Sequence, residues 1–535
     1  MSRRHMLKVL TAAGGGWAMS AWLTACANPS TTQSTPASAP GATKVPAPAI
    51  AKTPKFGGDI VSALSTDIAT LDTAMFNGIA EGNIFAHVYN RLTTVDEKGE
   101  ILPSLAESWE EDADHLKWTL RLRQGVKFHD DTDFNAEAVK FNIDRYIDPN
   151  LKSLRKGEIP AVTGVDVVDP KTVRIKLSQP FSVLPYALAS YPGTMVSPAA
   201  IKKYGADIAR NAVGTGPFVF KEWVKNDRVV VVRNEKYWDT AHPPYLKSIT
   251  FKGIPDATVV LNGVRSKQIH VTYNVLAKDV ATIKSDSSLQ LIEGRPTRQV
   301  SLRFRLSVPP FDKKEIRQAI AWAIDRAAIE KAVFFDAGLP ANQFVAPGQL
   351  GHDEKLDVYK RQDLEKAKAL LAAGGQPDGF RFRCLIQNNA EHVQMAQAVK
   401  GQLEKIGVTM EMETLEFTTW VQRQGAGQFD TLIGQYDSGN LDPYQGLARF
   451  FTPESALNVW NYRNPEYDKL LSKAADTANT SERIIIYKQL SAILAEDVPW
   501  VMLRYPPRLV LLAKEVQGYV DIADPHVHLY NCWLE

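Results

Sequence analysis

The chain has 535 residues, and its 62 lysines and arginines against 60 aspartates and glutamates give a formal net charge of +2. This length exceeds what one hydrophobic core normally supports, which excludes a single small module and predicts two or three lobes. The balanced charge argues against nucleic acid as a partner, and three cysteines without a CxxC pair exclude a disulfide framework and a cysteine-rich zinc module.

The first 26 residues have the pattern of an export signal. A basic start with Arg3 and Arg4 precedes seventeen uncharged residues, as in secretory signals. The paired arginines resemble a twin-arginine signal, with the general secretory route as the alternative. The sequence Leu-Thr-Ala-Cys that ends at Cys26 resembles a lipobox, so Cys26 is the expected lipid attachment point. An uncleaved transmembrane anchor is the other interpretation, but the apolar run is shorter than the ~20 residues that a span needs.

A disordered linker is predicted for residues 27–54. Residues 28–54 include six prolines, eight serines or threonines and six alanines, with no acidic or aromatic residue. Such a segment cannot bury apolar area and is expected to be an extended tether. We therefore expect a folded body in the periplasm or on the outer face of the cytoplasmic membrane, held by a lipid anchor.

Strand patterns dominate the first half of the body. Apolar and polar residues alternate at 118–122 and at 173–177, the period of half-buried strands. His129, Asp130 and Asp131 could be metal ligands, but turn chemistry explains them better. Asn135 is placed to cap a helix that follows.

Helical and βαβ patterns dominate the second half. Apolar residues at Ile316, Ile320, Ile324 and Ala328 predict one helix, with capping-box spacing from Asp312 to Glu315. Strand, helix and strand patterns then follow at 380–386, 393–406 and 408–412, which predicts a right-handed βαβ unit with parallel strands.

A further strand is predicted at 429–436, after a helix at about 417–426. The strand runs into the loop 437–443. Ligands of open α/β sheets bind outside the carboxyl ends of strands, so this loop is a candidate binding site.

Enzyme motifs are missing from the sequence. It contains no GxSxG, HExxH or GxxxxGK[ST] motif. His526, His528 and Cys532 could form part of a zinc site, but one ligand would be lacking. We therefore expect no enzyme activity, no metal and no cofactor.

Two arginines alternate with apolar residues in Leu302–Leu306. Arg303 and Arg305 would share one face of a strand, and arginine forks suit carboxylates. The alternatives are a solvated strand face and pairing with acidic residues of a neighbouring strand.

Several stretches resemble one family, the extracytoplasmic solute-binding proteins of ABC importers, family 5, the class that includes dipeptide, oligopeptide and nickel-chelate binders. These stretches are LAESW at 105–109, LRQGVKFHD at 122–130, NAVGTGPF at 211–218, RNEKYW at 233–238, PPF at 309–311, IRQAIAWAIDR at 316–326 and NPEYD at 464–468.

The resemblance implies an α/β fold of two lobes that close on a ligand, the periplasmic-binding-protein-like fold of type II, cluster C. Lobe I would comprise residues 55–302, with an extra subdomain at about 106–209, and lobe II residues 303–499. Residues 500–535 would return to lobe I. The expected protein is a monomer that delivers its solute to a membrane permease and its ATPase subunits.

Ligand contacts can be carried over only position by position. Peptide-binding members place an aspartate three residues before the acidic residue of an Asp-Pro turn, where it holds the amino group of the peptide. Counting back from Asp442, this chain has Gly439. In the dipeptide-binding members that this chain resembles, a carboxylate-binding arginine lies in the loop after the strand that corresponds to 380–386. This chain has Asn388 and Asn389 there, and no arginine. A standard dipeptide site is therefore not expected.

The predicted ligand contacts are the following. Arg305 stands where many members have asparagine, and we expect it to bind a carboxylate. Tyr436 stands where tryptophan is usual and would stack or hydrogen-bond. Asp437 and Asn440 would contact polar groups, and Asn388 is a further candidate.

The leading hypothesis is a lipid-anchored binding protein for a peptide-like or carboxylate-bearing solute. Opine-like conjugates, modified short peptides and organic acids all qualify. The alternatives are a nickel-chelate or haem binder of the same fold, with histidine ligands, and an exported hydrolase that uses cleft carboxylates.

Overall fold

The fold is seen in a computed structural model that describes residues 53–76, 78–437, 441–453, 455 and 457–535, with Asp437 described by its backbone only. The predicted signal with Cys26, nearly all of the predicted linker, and Asn440 lie outside the described residues. The fold below is that of the compact unit Pro54–Glu535. None of the helices in the described ranges combines the length and the apolar composition needed to cross a membrane.

The strands and helices are numbered in chain order. The strands are β1 (Asp59–Leu64), β2 (Thr93–Val95), β3 (Ile101–Pro103), β4 (Ala106–Glu111), β5 (Lys117–Leu122), β6 (Val162–Asp169), β7 (Thr172–Leu177), β8 (Phe218–Val224), β9 (Arg228–Arg233), β10 (Ser248–Gly253), β11 (Val271–Thr272), β12 (Leu289–Gly294), β13 (Arg298–Phe304), β14 (Leu339–Pro340), β15 (Arg381–Gln387), β16 (Thr409–Leu415), β17 (Thr431–Asp437), β18 (Trp500–Tyr505), β19 (Arg508–Ala513), β20 (Val516–Gln517) and β21 (Trp533–Leu534). The helices are α1 (Ile79–Val88), α2 (Ala136–Ile147), α3 (Leu184–Leu188), α4 (Pro198–Tyr204), α5 (Ala257–Arg265), α6 (Val280–Ser285), α7 (Lys314–Ala323), α8 (Arg326–Phe334), α9 (Leu364–Ala373), α10 (Ala390–Leu403), α11 (Phe417–Gly425), α12 (Tyr444–Phe451), α13 (Pro465–Asp476) and α14 (Thr480–Asp497).

Two large mixed sheets form the two lobes. In the described chain the first sheet has the order β12-β19-β11-β1-β10-β9-β8 and the second the order β14-β18-β13-β17-β15-β16. Each has its own hydrophobic core, one around Ile249 and Phe251 and the other around Phe304 and Phe311. The predicted α/β two-lobe fold is confirmed.

A separate antiparallel sheet, β4-β5-β7-β6, lies within the range predicted for the extra subdomain. Its alternating residues, such as Leu120 and Val173, are buried on one side. α2 packs against β6 and begins where the sequence predicts, because the side chain of Asn135 accepts a hydrogen bond from the Ala138 amide at 3.1 Å. Asp131 has a φ of 62° and forms a tight turn, as turn chemistry predicts.

The crossings between the large sheets differ from the predicted ones. The prediction begins lobe II at Arg303 and returns to lobe I at Trp500. Strand β13 instead pairs along its length with β17 and β18 of the second sheet. The chain therefore crosses at 295–297, before β13, and at 506–507, after β18. The pattern of apolar and polar residues could not show that β18 belongs to lobe II. All six residues of this strand are buried, so it has no alternation that would assign it to either sheet.

The helix predicted from Asp312 to Ala328 is two helices. α7 starts at Lys314, with no side-chain cap from Asp312, and α8 starts after Asp325, whose carboxylate accepts from the Ala328 amide at 2.9 Å. Arg326 terminates α7, because its guanidinium donates to the carbonyls of Ala321 and Ile324 at 3.1 and 3.0 Å. The apolar face was predicted correctly, but this local competition for the carbonyls was not visible in the pattern.

The predicted βαβ unit is present as β15, α10 and β16, with the two strands parallel. β17 follows α11 and lies between β13 and β15, so its carboxyl end reaches the middle of the edge that faces the other lobe. Cys384 in β15 and Cys532 near the C-terminus are both free and buried, in different cores. Burial raises the pKa of the Cys384 thiol to about 12, so it stays protonated at neutral pH.

Candidate functional site

A cavity of about 370 Å³ lies between the two lobes. Lobe I contributes α1, the segment 155–158, Tyr191 and the segment 524–526, and lobe II contributes β13, β17, α11 and α12. The lobes meet at its edge, where the Gln445 side chain donates to the carbonyl of Glu158 at 3.4 Å. The chain therefore encloses a volume suited to a small solute.

Arg303 lies on the lobe II wall of this cavity and is only 2% exposed. Its guanidinium carbon lies 4.0 Å from the ring centroid of Trp500 and 5.3 Å from that of Trp460. Its Nε donates to the Ser301 hydroxyl at 3.1 Å, whereas its Nη2 has no hydrogen-bond partner. Burial lowers the pKa of Arg303 to about 9. A carboxylate that binds here would relieve a buried, uncompensated charge.

The charged side chains that line the cavity carry an excess of positive charge. Among the described lining residues, four arginines face two carboxylates, and each of these carboxylates is already paired within lobe I, Asp524 with Arg91 and Glu158 with Arg155. The other two arginines, Arg303 and Arg449, have no carboxylate of the described residues within ion-pair distance. The cavity therefore favours an anionic ligand.

Aromatic residues cover the rest of the lobe II wall. Tyr436 stacks on Phe344 with ring centroids 5.9 Å apart and meets Phe450 edge-on at 4.8 Å. A Cβ at Gly446 would lie 2.8 Å from the Tyr436 ring, so this glycine lets α12 approach the ring. Phe417 also lines the cavity and is 60% exposed, which gives the ligand an apolar surface beside the arginines.

A buried relay of polar groups occupies the lobe I wall. Asp524 Oδ1 lies 2.6 Å from His526 Nδ1, and His526 Nε2 lies 2.7 Å from the Tyr191 hydroxyl. Burial opposes the charge on Asp524, but Arg91 and the two nearby histidines hold its pKa well below the usual range. Burial also lowers the pKa of His526, despite the nearby Asp524, and raises that of Tyr191.

Arg155 joins this relay to Glu158. Its guanidinium carbon lies 4.3 Å from the ring centroids of both Tyr191 and Phe76, and its Nη1 donates to Glu158 Oε1 at 2.9 Å. Glu158 is 7% exposed, and its Oε2 has no hydrogen-bond partner. The Arg155 guanidinium thus contacts both the Glu158 carboxylate and the Tyr191 ring.

The predicted ligand contacts are only partly brought together. Tyr436 lines the cavity. Arg305 does not: it follows the last residue of β13, is half-buried, and donates to the Gly427 carbonyl. Asn388 is exposed and donates to Glu416 at 2.6 Å, outside the cavity wall. The backbone of Asp437 pairs with Arg298, and Asn440 lies outside the described residues.

The residues that sequence reasoning missed come from distant parts of the chain. The alternation of arginines correctly marked the strand, but it did not indicate that β13 ends at Phe304 and so separates Arg303 from Arg305. Arg155, Glu158 and Tyr191 carry no motif. His526 was considered as a metal ligand, but its ring is held by Asp524 and Tyr191, and Cys532 lies in the core of lobe I. Within the described residues no cluster of three potential metal-binding side chains was found.

Comparisons with known proteins agree with this architecture. The family model for bacterial extracellular solute-binding proteins, family 5 Middle, matches residues 100–458. The glutathione-binding protein GsiB of Salmonella typhimurium is 29% identical over 476 residues, which cover 87% of this chain and 92% of GsiB.

Two solved structures illustrate the fold. The periplasmic binding protein AgaA from A. tumefaciens R10, in complex with agropinic acid, has a TM-score of 0.80 and 27% identity, with 89% of this chain and 99% of AgaA covered. The periplasmic binding protein DppA from Helicobacter pylori, in complex with the peptide STSA, has a TM-score of 0.81 and 23% identity, with 90% and 99% covered. This chain therefore belongs to the family 5 bacterial extracellular solute-binding proteins, the substrate-binding components of ABC importers.

Proposed function

We propose that this protein captures a small peptide-like solute with at least one carboxylate and delivers it to the permease of an ABC importer. The observation that carries the proposal is Arg303, a buried arginine on the cavity wall with an unpartnered Nη2 and no compensating carboxylate among the described residues. The names of two relatives give the first probes, glutathione and agropinic acid.

A binding role fits the cavity better than hydrolysis. In the described part of its wall the carboxylates are Glu158 and Asp524, and each forms an ion pair with an arginine. A general acid needs a raised pKa, whereas Asp524 is held in its charged form. We therefore propose that the protein is not an enzyme and releases its ligand chemically unchanged.

Membrane attachment through Cys26 is part of the proposal. The motif that ends at Cys26 and the polar linker after it support a lipid-anchored protein outside the cytoplasm, and we propose that it acts as a monomer. Replacement of Arg3 and Arg4 by lysine, followed by a measurement of export, tests the twin-arginine route. Labelling of the wild type and of Cys26→Ser with a fatty-acid analogue tests the anchor. Equal labelling of both proteins would rule out Cys26 as the attachment point.

The test of the binding proposal compares two arginines of one strand segment. Glutathione and agropinic acid are titrated calorimetrically into the wild type, Arg303→Met and Arg305→Met. Removal of one partner of a buried charge pair costs about 2–5 kcal/mol, so we expect Arg303→Met to weaken binding at least ~30-fold. Arg305→Met is the matched control and should change the dissociation constant less than ~3-fold.

Two results would contradict this assignment. Loss of binding in Arg305→Met with retention in Arg303→Met would return the carboxylate contact to Arg305, where the sequence analysis predicted it. Binding that survives both substitutions would show that neither guanidinium holds the ligand.

A further inference from the structure

The lobe I wall of the cavity presents hydrogen-bond acceptors. The buried relay of Asp524, His526 and Tyr191 determines which group donates and which accepts. Asp524 is charged and can only accept, so His526 Nδ1 must be the donor at their 2.6 Å contact. Neutral His526 then has a lone pair on Nε2, and the Tyr191 hydroxyl must donate its proton to it. The Tyr191 oxygen can therefore offer only lone pairs to a ligand.

The geometry around His526 leaves little freedom for another arrangement. Its ring is 1% exposed, and its backbone amide also donates to Asp524, at 2.9 Å. A Cβ at Gly82 of α1 would lie only 2.0 Å from Nε2, so the helix backbone is closely packed against the ring. The orientation of the Tyr191 hydroxyl is thus set by packing as well as by hydrogen bonds.

A second acceptor lies beside Tyr191. Glu158 Oε2 is buried and unpartnered, and Arg155 contacts both the Glu158 carboxylate and the face of the Tyr191 ring. A buried carboxylate oxygen without a donor costs free energy until a donor reaches it. The Tyr191 oxygen and Glu158 Oε2 are therefore two hydrogen-bond acceptors on one wall. A ligand group with several N–H bonds could donate to both of them.

We propose that Tyr191 and Glu158 bind the ammonium group of the solute, while Arg303 and Arg449 on the opposite wall bind its carboxylates. This inference rests on the proposed function and names its substrate class, an amino-acid conjugate with one free ammonium and two carboxylates. Its net charge of −1 partly neutralises the two excess arginines. The amino-group anchor would then lie in lobe I, and not at sequence position 439, where peptide-binding relatives carry an aspartate and this chain has Gly439.

The experiment compares two ligands that differ only in that ammonium, with agropinic acid as a separate carboxylate probe. Calorimetric titration at pH 7.5 uses glutathione, its des-amino analogue glutaryl-cysteinyl-glycine, and agropinic acid, a lactam without a basic nitrogen. We expect the des-amino analogue to bind at least ~30-fold more weakly than glutathione, because the buried Glu158 carboxylate then lacks its charged partner in the ligand. In Glu158→Gln and Tyr191→Phe the ratio between glutathione and its des-amino analogue should fall several-fold, because the first variant loses the negative charge that attracts the ammonium and the second loses the acceptor oxygen.

Controls separate recognition from damage to the fold. Glu137→Gln changes an exposed carboxylate of α2, and Tyr89→Phe removes a hydroxyl that donates to the Leu71 carbonyl at 3.3 Å, outside the cavity. Both should keep the wild-type ratio. A variant that merely loosens the fold would weaken both ligands equally and leave the ratio unchanged, which would contradict the proposal.

The remaining outcomes are also decisive. Equal affinity for glutathione and its des-amino analogue would overturn the ammonium site and leave the proposed function intact. If glutathione, its des-amino analogue and agropinic acid all fail to bind, the proposed solute class is wrong and this inference is wrong with it.

Discussion

Arg303 and Arg326 are two arginines with the same burial but very different hydrogen-bond partners. Each is 2% exposed, and neither has a carboxylate as its ion-pair partner among the described residues. Arg326 donates to four backbone carbonyls, whereas Arg303 donates to one hydroxyl and is otherwise surrounded by aromatic rings. The hydrogen bonds, rather than the burial, decide what each residue contributes.

We predict that Arg303→Met raises the melting temperature of the ligand-free protein by roughly 1–3 °C. Methionine packs well against aromatic rings and removes a buried charge that has one neutral acceptor. Such a gain at the expense of binding is the usual trade at functional sites. Differential scanning calorimetry checks it, and a fall of several degrees would show that the cation–π contacts outweigh the cost of burying the charge.

At the scale of elements, the α7–α8 junction depends on the side chain of Arg326. Its Nε donates to Met502 of β18 at 2.7 Å, and its Nη1 donates to the last turn of α7 and to Tyr359 at 2.9 Å. This one side chain therefore ends α7 and ties the start of α8 to the sheet of lobe II, while the Asp325 carboxylate caps α8.

We predict that Arg326→Met lowers the free energy of unfolding by roughly 2–4 kcal/mol, because buried carbonyls lose their donor. The loss of an unpaired buried charge offsets part of this cost. Urea unfolding followed by circular dichroism measures the change. Lys331→Met, on the exposed side of α8, is the matched control and should stay within about 0.5 kcal/mol of the wild type. A stable Arg326→Met would show that these bonds contribute little.

The same junction shows where sequence reasoning reaches and where it stops. The βαβ unit, the strands of the extra subdomain and the cap at Asn135 were predictable, because each follows from local periodicity or local hydrogen bonding. The break after Ala323 was not, because Arg326 reads as a surface residue in any local pattern. Likewise Glu158 and Tyr191 meet only through Arg155, and no spacing in the sequence encodes that contact.

At the scale of the whole molecule, the C-terminal segment ties back to α1 through a neutral histidine. His87 is completely buried in lobe I, with Nδ1 donating to the Asn83 carbonyl at 2.7 Å and Nε2 accepting from the Leu529 amide at 3.0 Å. Burial lowers the pKa of His87 to about 3. Protonation would place a hydrogen where Leu529 donates, so the folded protein resists it.

We predict that this histidine contributes to acid unfolding. Its pKa rises to about 6.5 on unfolding, so the unfolded chain takes up a proton and stability falls as pH decreases from about 6.5 to about 3. The contribution approaches about 1.4 kcal/mol per pH unit within that window. Urea unfolding at several pH values measures how the free energy of unfolding depends on pH. This dependence should be shallower in His87→Gln, whose amide can both donate and accept. The exposed His242→Gln is the control, and equal slopes in all three proteins would exclude His87 as the cause.

The aromatic surroundings of Arg303 also give the molecule an optical property. Trp500 and Trp460 flank a positive charge on the cavity wall, and Trp420 lies on the same wall. Indole emission responds to nearby charge, so a carboxylate that pairs with this guanidinium would change the local field at two fluorophores at once. The protein would thereby act as its own sensor: intrinsic fluorescence could follow the arrival and departure of a solute in real time, without a label.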